Sequence, residues 1–485
     1  MKKIFVISSF LLALAACEKD FEEINTNPND PSVVATADLM AGAQRSLVRS
    51  LFGMYDDWGI AYIPHVYMQY WAATLYTNVD RYETITLDFT DFYVEALNDF
   101  NEVIELNSDE KMMLEAAKYG PNENQIAVAR IMKAYTFHNL TDIWGAIPYS
   151  EALQGNSDFT PKYDDQQFIY EALITELTEA AAQIDEDAGS IEGDIIYGGN
   201  MAAWKLFANS LRLRLGMRLS KVAPDKAQAI VAEAVHAGVF TSQRDNAVYQ
   251  YLASAPNNSG WNQQYTFGAP EYACSEILVN RLVELDDPRL EAYAQPSEAT
   301  GEYVGMIYGV SNAEAGGIGY SNVSLPGVRV LSTEEPAILM GYSEVLFLQA
   351  EAAAKGWIND EPKTLYEHAI AASFEYWDVS LDGDALNSYL QQDGVAYDAD
   401  NYEKSIGEQA WLAFYTQGPE AWSSWRRLGY PELAPATKAV ANRDIPRRKG
   451  YPYSEFTLNG DNYNAAIDTQ GPDVMETRLW WDAEN

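Results

Sequence analysis

The chain has few of the residues that support redox or metal chemistry. Its 485 residues include two cysteines, Cys17 and Cys274, and only four histidines. No two histidines have the spacing of zinc ligands. This pattern disfavours both a zinc site and a disulfide framework. Residues 272–285 resemble a helix, so we expect Cys274 to be a small, buried apolar residue within it.

Basic residues are also scarce. Thirty-two Lys and Arg are outnumbered by 71 Asp and Glu, which gives a formal net charge of −39 at pH 7. A chain this acidic repels the phosphates of nucleic acids and the anionic headgroups of lipids. Nucleic acid is therefore excluded as a partner.

The apolar run near the N terminus is short. Residues 4–14 are far fewer than the roughly 20 apolar residues that cross a bilayer. Lys2 and Lys3 precede this run, and it ends in small residues before Cys17. The arrangement predicts a bacterial lipoprotein signal peptide over residues 1–16 and a lipidated Cys17 at the start of the mature chain. Since two or more acyl chains anchor a protein stably, we expect a membrane-anchored protein.

Residues 17–36 are expected to form a tether between the lipid and the folded body. Four carboxylates within residues 18–23 precede an Asn- and Pro-rich stretch at residues 25–31, which is typical of extended or turn-rich chain. The carboxylates resemble the export tag that sends some lipoproteins to the outer leaflet of the outer membrane. A solvated linker explains them equally well.

Motifs of common enzyme classes are missing from the sequence. There is no Gly-x-Ser-x-Gly elbow, no phosphate-binding Gly-x-x-x-x-Gly-Lys-Ser/Thr loop and no His-Glu-x-x-His pair. Carboxylates are so abundant that some pair reaches glycosidase spacing by chance. The sequence therefore indicates a protein that is not an enzyme.

One acidic segment has the oxygen ligands that calcium prefers. Asp393, Asp398, Asp400 and Glu403 lie close together, but their order does not match the helix-loop-helix calcium spacing. We favour a solvated acidic loop over a structural calcium site, and no other cofactor is predicted.

Helical periodicity is the main pattern that the chain does have. Apolar residues recur at helical spacing, and some helices form pairs of tetratricopeptide size. Helices are predicted at residues 37–52, 60–74, 88–106, 122–143, 166–185, 201–221, 225–237, 334–355, 361–377 and 404–416. We predict one large, mainly α domain over residues 37–485, a tetratricopeptide-like scaffold of helical pairs. Long irregular loop insertions are expected at residues 53–86, 239–270, 293–333 and 445–477.

Two of the predicted helices carry more specific expectations. Residues 342–355 and 361–377 form the clearest helical pair, since small residues stand where the helices would approach. Asn200 is placed to cap the helix that starts at Met201. Arg212, Arg214 and Arg218 fall off the apolar stripe of that helix, so we expect them on its surface.

Aromatic residues give the strongest hint of a binding site. Tyr, Trp and Phe make up 13% of the chain, and many stand beside Asn and Gln in the irregular segments. Aromatic faces ringed by amides suit sugars and peptides alike. The segment 257–265 is too polar for a core, so its residues are predicted to face the ligand. Trp261 and Tyr265 would stack, Asn262 and Gln263 would hydrogen-bond, and a second lip would be formed by Trp71, Tyr76, Arg81 and Tyr82.

Short motifs along the whole mature chain resemble the SusD/RagB family of nutrient-binding outer-membrane lipoproteins, in its SusD-like branch. They occur in the order expected of that family. The motifs are Asn25-Thr26-Asn27-Pro28-Asn29, Leu140-Thr141-Asp142-Ile143-Trp144-Gly145, Trp204-Lys205-Leu206-Phe207-Ala208-Asn209, Asp287-Pro288-Arg289-Leu290, Trp422-Ser423-Ser424-Trp425-Arg426-Arg427, Ile445-Pro446-Arg447-Arg448 and Trp480-Trp481-Asp482.

The resemblance implies a lid protein for a SusC-like, TonB-dependent barrel transporter. Such a lipoprotein faces the cell exterior, captures an oligosaccharide or a peptide, and delivers it to the barrel without catalysis. The quoted motifs are mostly structural in such proteins, and we expect Arg426, Arg427, Arg447 and Arg448 to pair with some of the surplus carboxylates. Two alternatives remain open, a surface glycoside hydrolase and a surface scaffold or adhesin that binds no small ligand.

Overall fold

A computed structural model describes residues 34–53, 62–85, 87–155, 158–266, 268 and 270–484. The predicted signal peptide, Cys17 and most of the tether lie outside the described residues, so those expectations stay predictions. Among the described residues, no helix combines the length and the apolarity that crossing a bilayer requires.

Helices form most of the described chain. In the first half they are α1 Thr36–Phe52, α2 Tyr62–Tyr67, a π-helical turn Phe92–Leu97 that continues into α3 Asn98–Ser108, α4 Met113–Ala116, α5 Asn122–Trp144, α6 Gln166–Gln183, α7 Met201–Arg218 and α8 Pro224–Ala237. In the second half they are α9 Gly260–Thr266, α10 Glu276–Glu284, α11 Leu290–Tyr293, α12 Asn312–Ile318, α13 Tyr342–Ala354, α14 Pro362–Tyr376, α15 Gly383–Leu390, α16 Tyr402–Ala413, α17 Gly418–Leu428, α18 Tyr453–Leu458 and α19 Gly460–Gln470.

In the described residues, six short strands form three antiparallel pairs. They are β1 Trp71–Ala73, β2 Ile147–Pro148, β3 Tyr163–Asp164, β4 Ala247–Tyr249, β5 Tyr272–Cys274 and β6 Ala337–Met340. The pairs are β1 with β5, β2 with β3, and β4 with β6. The pairs β1–β5 and β4–β6 each tie a loop insertion to a distant part of the chain, whereas β2 and β3 are close in sequence.

The long helices pack as consecutive pairs, which confirms the tetratricopeptide-like fold. Helix α5 packs against α6, α7 against α8, α13 against α14, and α16 against α17. Neighbouring pairs also touch, since α6 contacts α7 and α13 contacts both α7 and α16. One continuous apolar core therefore runs through the described chain, as expected of a single domain.

Side-chain caps set where several helices begin. The Asn200 side chain accepts a hydrogen bond from the backbone N–H of Ala203 at 3.2 Å, so the predicted cap of α7 is confirmed. Asp165 caps α6 in the same way, through the N–H of Phe168 at 2.9 Å. The chain leaves α17 through Gly429 in the left-handed region, with φ of 81°, which glycine adopts without strain.

Several predicted helices are wrong in part. The described part of the predicted helix 60–74, which starts at Tyr62, contains the short helix α2 and then strand β1, and Cys274 lies in strand β5 rather than in a helix. Cys274 is buried, as expected. Strand β6 precedes α13 where one helix was predicted, and α18 and α19 form within a predicted loop. Short apolar runs fit a buried strand as well as a buried helix, so periodicity could not separate the two.

A buried network of charges joins the helical pairs. Arg218 on α7 lies 2.5 Å from Glu420 on α17 and 3.2 Å from Asp142 on α5. Arg214, also on α7, lies 2.6 Å from Glu344 on α13. The expectation that Arg212, Arg214 and Arg218 lie on the surface is therefore wrong, since all three are buried. Arg214 and Arg218 are buried because carboxylates from neighbouring pairs neutralise and hydrogen-bond them.

Carboxylate partners are predicted for four arginines near the C terminus, and the structure confirms them for three. Arg427 lies 2.5 Å from Glu351. The other two pairs are Arg447 with Asp482 and Arg448 with Asp473, both at 3.0 Å. Arg426 differs, since its guanidinium stacks 3.9 Å from the ring of Trp422 and donates to backbone carbonyls. Much of the surplus negative charge in this region is thus used to hold the scaffold together.

Candidate ligand-binding face

The two segments predicted to form the binding site do meet in the structure. Strand β1 pairs with β5, so that Trp71 is opposite Cys274. Thr74, the first residue after β1, donates from its N–H to the Glu271 carbonyl at 2.7 Å. Behind this pair, the rings of Trp71 and Trp261 lie edge to face with centroids 4.7 Å apart. The structure therefore brings the segment 69–83 beside helix α9.

The tryptophans at this junction belong to the core. Trp261 is only 5% exposed, Trp71 is fully buried, and both pack around the buried imidazole of His65. The Trp71 Nε1 donates to the Tyr415 hydroxyl at 2.7 Å. Burial penalises the charged imidazolium and lowers the His65 pKa to about 3, so this ring is neutral at pH 7. The prediction that Trp261 and Trp71 offer free faces to a ligand is wrong.

The polar residues beside Trp261 are also used internally. The Asn262 side chain donates to the Leu331 carbonyl at 2.8 Å, and that of Gln263 donates to the Asn258 carbonyl at 3.0 Å. The Tyr265 hydroxyl donates to the Tyr272 carbonyl at 2.5 Å. The expectation that residues 257–265 are too polar for the core is wrong for residues 258–261, which are buried. Asn262, Gln263 and Tyr265 are partly exposed, and these hydrogen bonds satisfy part of their polar groups.

Tyr82 holds the second segment in place rather than contacting solvent. Its ring is buried against Tyr67 and Tyr308, and its hydroxyl accepts from the N–H of Ala436 at 3.1 Å. Its backbone has φ of 60°, a left-handed conformation that costs a non-glycine residue free energy. The surrounding contacts enforce this conformation, so Tyr82 has a structural role and does not contact the ligand.

Residues that reach solvent lie between the buried Trp71 and the buried Tyr82. We call residues 74–84 the site loop. Within it Tyr76 is 62% exposed, Arg81 is partly exposed, and the Asn78 side chain reaches the surface, where it donates to Glu83 at 2.7 Å. Arg81 also lies 3.1 Å from Glu83. Of the residues predicted for the second lip, Tyr76 and Arg81 are therefore the ones placed to meet a ligand.

Contacts on two sides fix the shape of the site loop. Thr77 donates from its N–H and its hydroxyl to the Asn312 side chain of α12, at 3.0 and 2.8 Å. On the other side, the Arg81 carbonyl accepts from the N–H of Val440, and Arg443 donates to the Tyr82 carbonyl, both at 2.8 Å. An exposed ring on so constrained a loop loses little conformational freedom when it binds.

A buried carboxyl lies under the site loop. Asp80 is fully buried, and its Oδ2 accepts from the N–H of Ala73 in β1 at 2.7 Å. Burial raises the Asp80 pKa to about 7, against the opposing effect of that hydrogen bond. The carboxyl ties the loop to the strand below it and does not reach the ligand face.

Helix α12 leads to a further exposed aromatic residue that sequence reasoning missed. The helix begins at Asn312, against the site loop, and the next turn, Tyr320–Asn322, carries Tyr320 partly into solvent. The sequence signal for it is the run Gly319-Tyr320-Ser321-Asn322, which has an aromatic residue near an amide, like the segments predicted to bind the ligand. On the site loop, Tyr76, Asn78 and Arg81 combine an aromatic face with amide and guanidinium donors, a composition suited to an uncharged polar ligand.

The predicted calcium segment has its oxygens engaged locally. Asp398 accepts from the N–H of Asp400 at 3.0 Å and from the Asn401 side chain at 2.7 Å. In the part of the chain that the structure describes, no three His, Cys, Asp or Glu side chains converge as metal ligands. The calcium site stays an untested alternative.

Stacked helical pairs with an aromatic face on their loop insertions define a helical-repeat binding protein. The sequence profile of the SusD-like family, whose description is starch-binding and associating with the outer membrane, matches residues 28–452. The chain belongs to this family, which confirms the resemblance carried by the short motifs.

Solved structures give the same result. A chitin-binding protein is 27% identical, with a TM-score of 0.78 over 93% of this chain and 100% of that one. A SusD-like protein of the Bacteroidetes is 26% identical, with the same TM-score and the same coverage of both chains. A chitin-binding SusD homologue from Flavobacterium johnsoniae, 24% identical with a TM-score of 0.74 over 92% of this chain and 99% of that one, shares the fold. No curated protein matches the sequence.

Proposed function

We propose that the protein binds an uncharged oligosaccharide at the outer-membrane surface, on the face formed by the site loop and Tyr320. The observation that carries this proposal is the 62% exposure of Tyr76 on a loop fixed from both sides. The family description and the chitin-binding relative support a glycan over a peptide. A peptide remains the second candidate from the sequence.

The protein acts without catalysis in this proposal. The buried carboxylates Glu344 and Glu351 are engaged with Arg214 and Arg427 of the scaffold. The buried Asp80 accepts from the N–H of Ala73 and lies below the ligand face. Release of reducing ends from a panel of polysaccharides by the purified protein would instead support the alternative of a surface glycoside hydrolase.

The proposal also includes a partner protein, because a lid must cover another protein. We infer that the protein covers a SusC-like, TonB-dependent barrel and passes its ligand to it, as the family resemblance implies. The description of the family as associating with the outer membrane supports this location. A scaffold or adhesin without a small ligand is the competing function, and it predicts no saturable oligosaccharide binding.

Tyr76→Ala tests the binding face. We expect it to weaken oligosaccharide binding about 2- to 10-fold, because a stacked aromatic contact contributes about 0.5–1.5 kcal/mol. Calorimetry of purified protein against starch and chitin oligosaccharides measures the affinity. Thermal stability should not change, since the ring is mostly in solvent.

A matched control is available in Tyr453, an exposed tyrosine outside the site loop. Tyr453→Ala should bind oligosaccharides like the unsubstituted protein. Equal affinities for both variants and the unsubstituted protein would exclude Tyr76 from the site.

Cys17→Ala tests the anchor. Without the thiol no acyl chains can be attached, so the protein should leave the membrane fraction and nutrient uptake should fall. Fractionation of cells with immunoblotting measures the location, and calorimetry should show that the soluble variant still binds its ligand. Retention of the variant in the outer membrane at the normal level would contradict the lipid anchor.

A further inference from the structure

One carboxylate on the site loop, that of Glu83, holds two of the side chains assigned to the ligand face. Its Oε2 accepts from the Asn78 side chain at 2.7 Å, and its Oε1 accepts from Arg81 at 3.1 Å. The Glu83 side chain is itself 37% exposed. A ligand that reaches Asn78 and Arg81 therefore also meets this carboxylate.

The backbone of the loop sets this arrangement. The Glu83 N–H donates to the Asn78 carbonyl at 2.9 Å. The Arg81 N–H donates to the Thr77 carbonyl at 3.1 Å. Between Arg81 and Glu83, Tyr82 takes its left-handed conformation with the ring buried. Because buried contacts hold Tyr82, the side chains on either side of it are kept together before any ligand arrives.

Two further cations beside the site loop are paired in the same way. Lys438 lies 2.5 Å from Glu314 on α12. Arg443, which donates to the Thr84 hydroxyl at 3.0 Å, lies 3.2 Å from Glu476. A carboxylate therefore opposes each of these positive charges, and an anion that approaches the loop meets a charge pair rather than a free cation.

Such a charge pair treats a hydroxyl and a carboxylate differently. An ionised carboxylate only accepts hydrogen bonds, whereas a sugar hydroxyl both donates and accepts. A hydroxyl can accept from Asn78 or Arg81 and donate to Glu83, whose two oxygens can accept further hydrogen bonds. A ligand carboxylate beside Arg81 would instead lie next to Glu83, and repulsion between the two carboxylates would offset the attraction of the guanidinium.

We propose that Glu83 is a specificity-determining residue, through which the site loop selects oligosaccharides that present hydroxyl groups over those that carry carboxylates. The inference rests on the proposed function, because it concerns the ligand class of the same site. Glu83 keeps Asn78 and Arg81 in position, neutralises Arg81 towards anions, and supplies an acceptor for hydroxyl donors. Oligosaccharides rich in uronic acids are thereby disfavoured, although a guanidinium lies on the ligand face.

Glu83→Gln tests this role, because it removes the charge and keeps a side chain of the same size. Calorimetry compares starch and chitin oligosaccharides with derivatives of the same length whose primary alcohols are oxidised to carboxylates. The ratio of neutral to anionic affinity should fall at least about fivefold, because the freed Arg81 guanidinium forms charge-assisted hydrogen bonds to a carboxylate. Thermal stability should stay close to that of the unsubstituted protein, since the Glu83 side chain is partly in solvent.

Two further variants separate the effect of Glu83 from that of the overall charge. Glu95 is also 37% exposed and lies 2.5 Å from Arg49, so Glu95→Gln makes the same change of charge at a surface pair outside the site loop. It should leave the affinity ratio within about twofold of the unsubstituted value, because salt screens distant exposed charges. Arg81→Met combined with Glu83→Gln should lose the gain in anionic affinity, because the guanidinium that takes the carboxylate is gone.

The outcomes separate this inference from the proposed function. An unchanged ratio in Glu83→Gln, an equal fall in Glu95→Gln, or a gain that persists in the double variant would overturn the role of Glu83 and leave the binding face standing. Equal affinities of the unsubstituted protein for neutral and oxidised oligosaccharides would overturn it as well. If the unsubstituted protein binds none of the oligosaccharides, the proposed function is contradicted and the inference falls with it.

Discussion

Trp261→Ala is expected to lower the free energy of unfolding by about 3–5 kcal/mol, the range for a buried tryptophan cut back to alanine. The indole is 5% exposed and packs against Trp71 and His65, so its removal leaves a cavity at the junction of α9 and β1. Urea or thermal unfolding followed by circular dichroism measures the loss.

Tyr76→Ala is the matched control for this substitution, since it removes an exposed ring from the same region. Its free energy of unfolding should stay within about 0.5 kcal/mol of the unsubstituted protein. If the Trp261→Ala protein is as stable as this control but binds the ligand less tightly, Trp261 contacts the ligand and does not belong to the core.

Arg218→Met should also be strongly destabilising, by about 3–5 kcal/mol. The substitution keeps an apolar stem of similar length but leaves Asp142 and Glu420 buried without this cation, and an uncompensated buried charge costs that much. Because the network joins α5, α7 and α17, the unfolding midpoint of the whole domain should fall. Differential scanning calorimetry measures the shift.

A surface pair provides the comparison. Arg49 lies 2.5 Å from Glu95, and both side chains are more than one-third exposed. Arg49→Met should therefore cost at most about 1 kcal/mol, because water already solvates both charges. Equal losses for Arg49→Met and Arg218→Met would mean that the buried network contributes no more than an ordinary surface ion pair.

The helical scaffold could be predicted because its information is local. The apolar periodicity of α5 to α8, the cap at Asn200 and the small residues of α13 and α14 are properties of neighbouring positions. The short elements were harder, since β1, β5 and β6 form only when a partner strand from another part of the chain is present. Arg214 and Arg218 were misplaced for the same reason, because their carboxylate partners lie on other helices.

The binding face could be predicted only in part. Tyr76 and Arg81 are placed to meet a ligand, whereas Trp71, Tyr82 and Trp261 are buried. Composition alone could not separate them, because an aromatic residue beside amides has the same local sequence in either setting. Burial depends on whether distant backbone groups, such as the Leu331 carbonyl that accepts from Asn262, arrive to satisfy the polar neighbours.

The sequence by itself determined the family of this protein, its helical pairs and its strongly acidic charge, since motif order, periodicity and composition are read along one chain. Only the tertiary structure decided which aromatic rings reach solvent and which carboxylates neutralise buried arginines. Both depend on contacts between residues far apart in sequence, such as the 2.5 Å approach of Arg218 to Glu420, and long-range pairing leaves no local pattern.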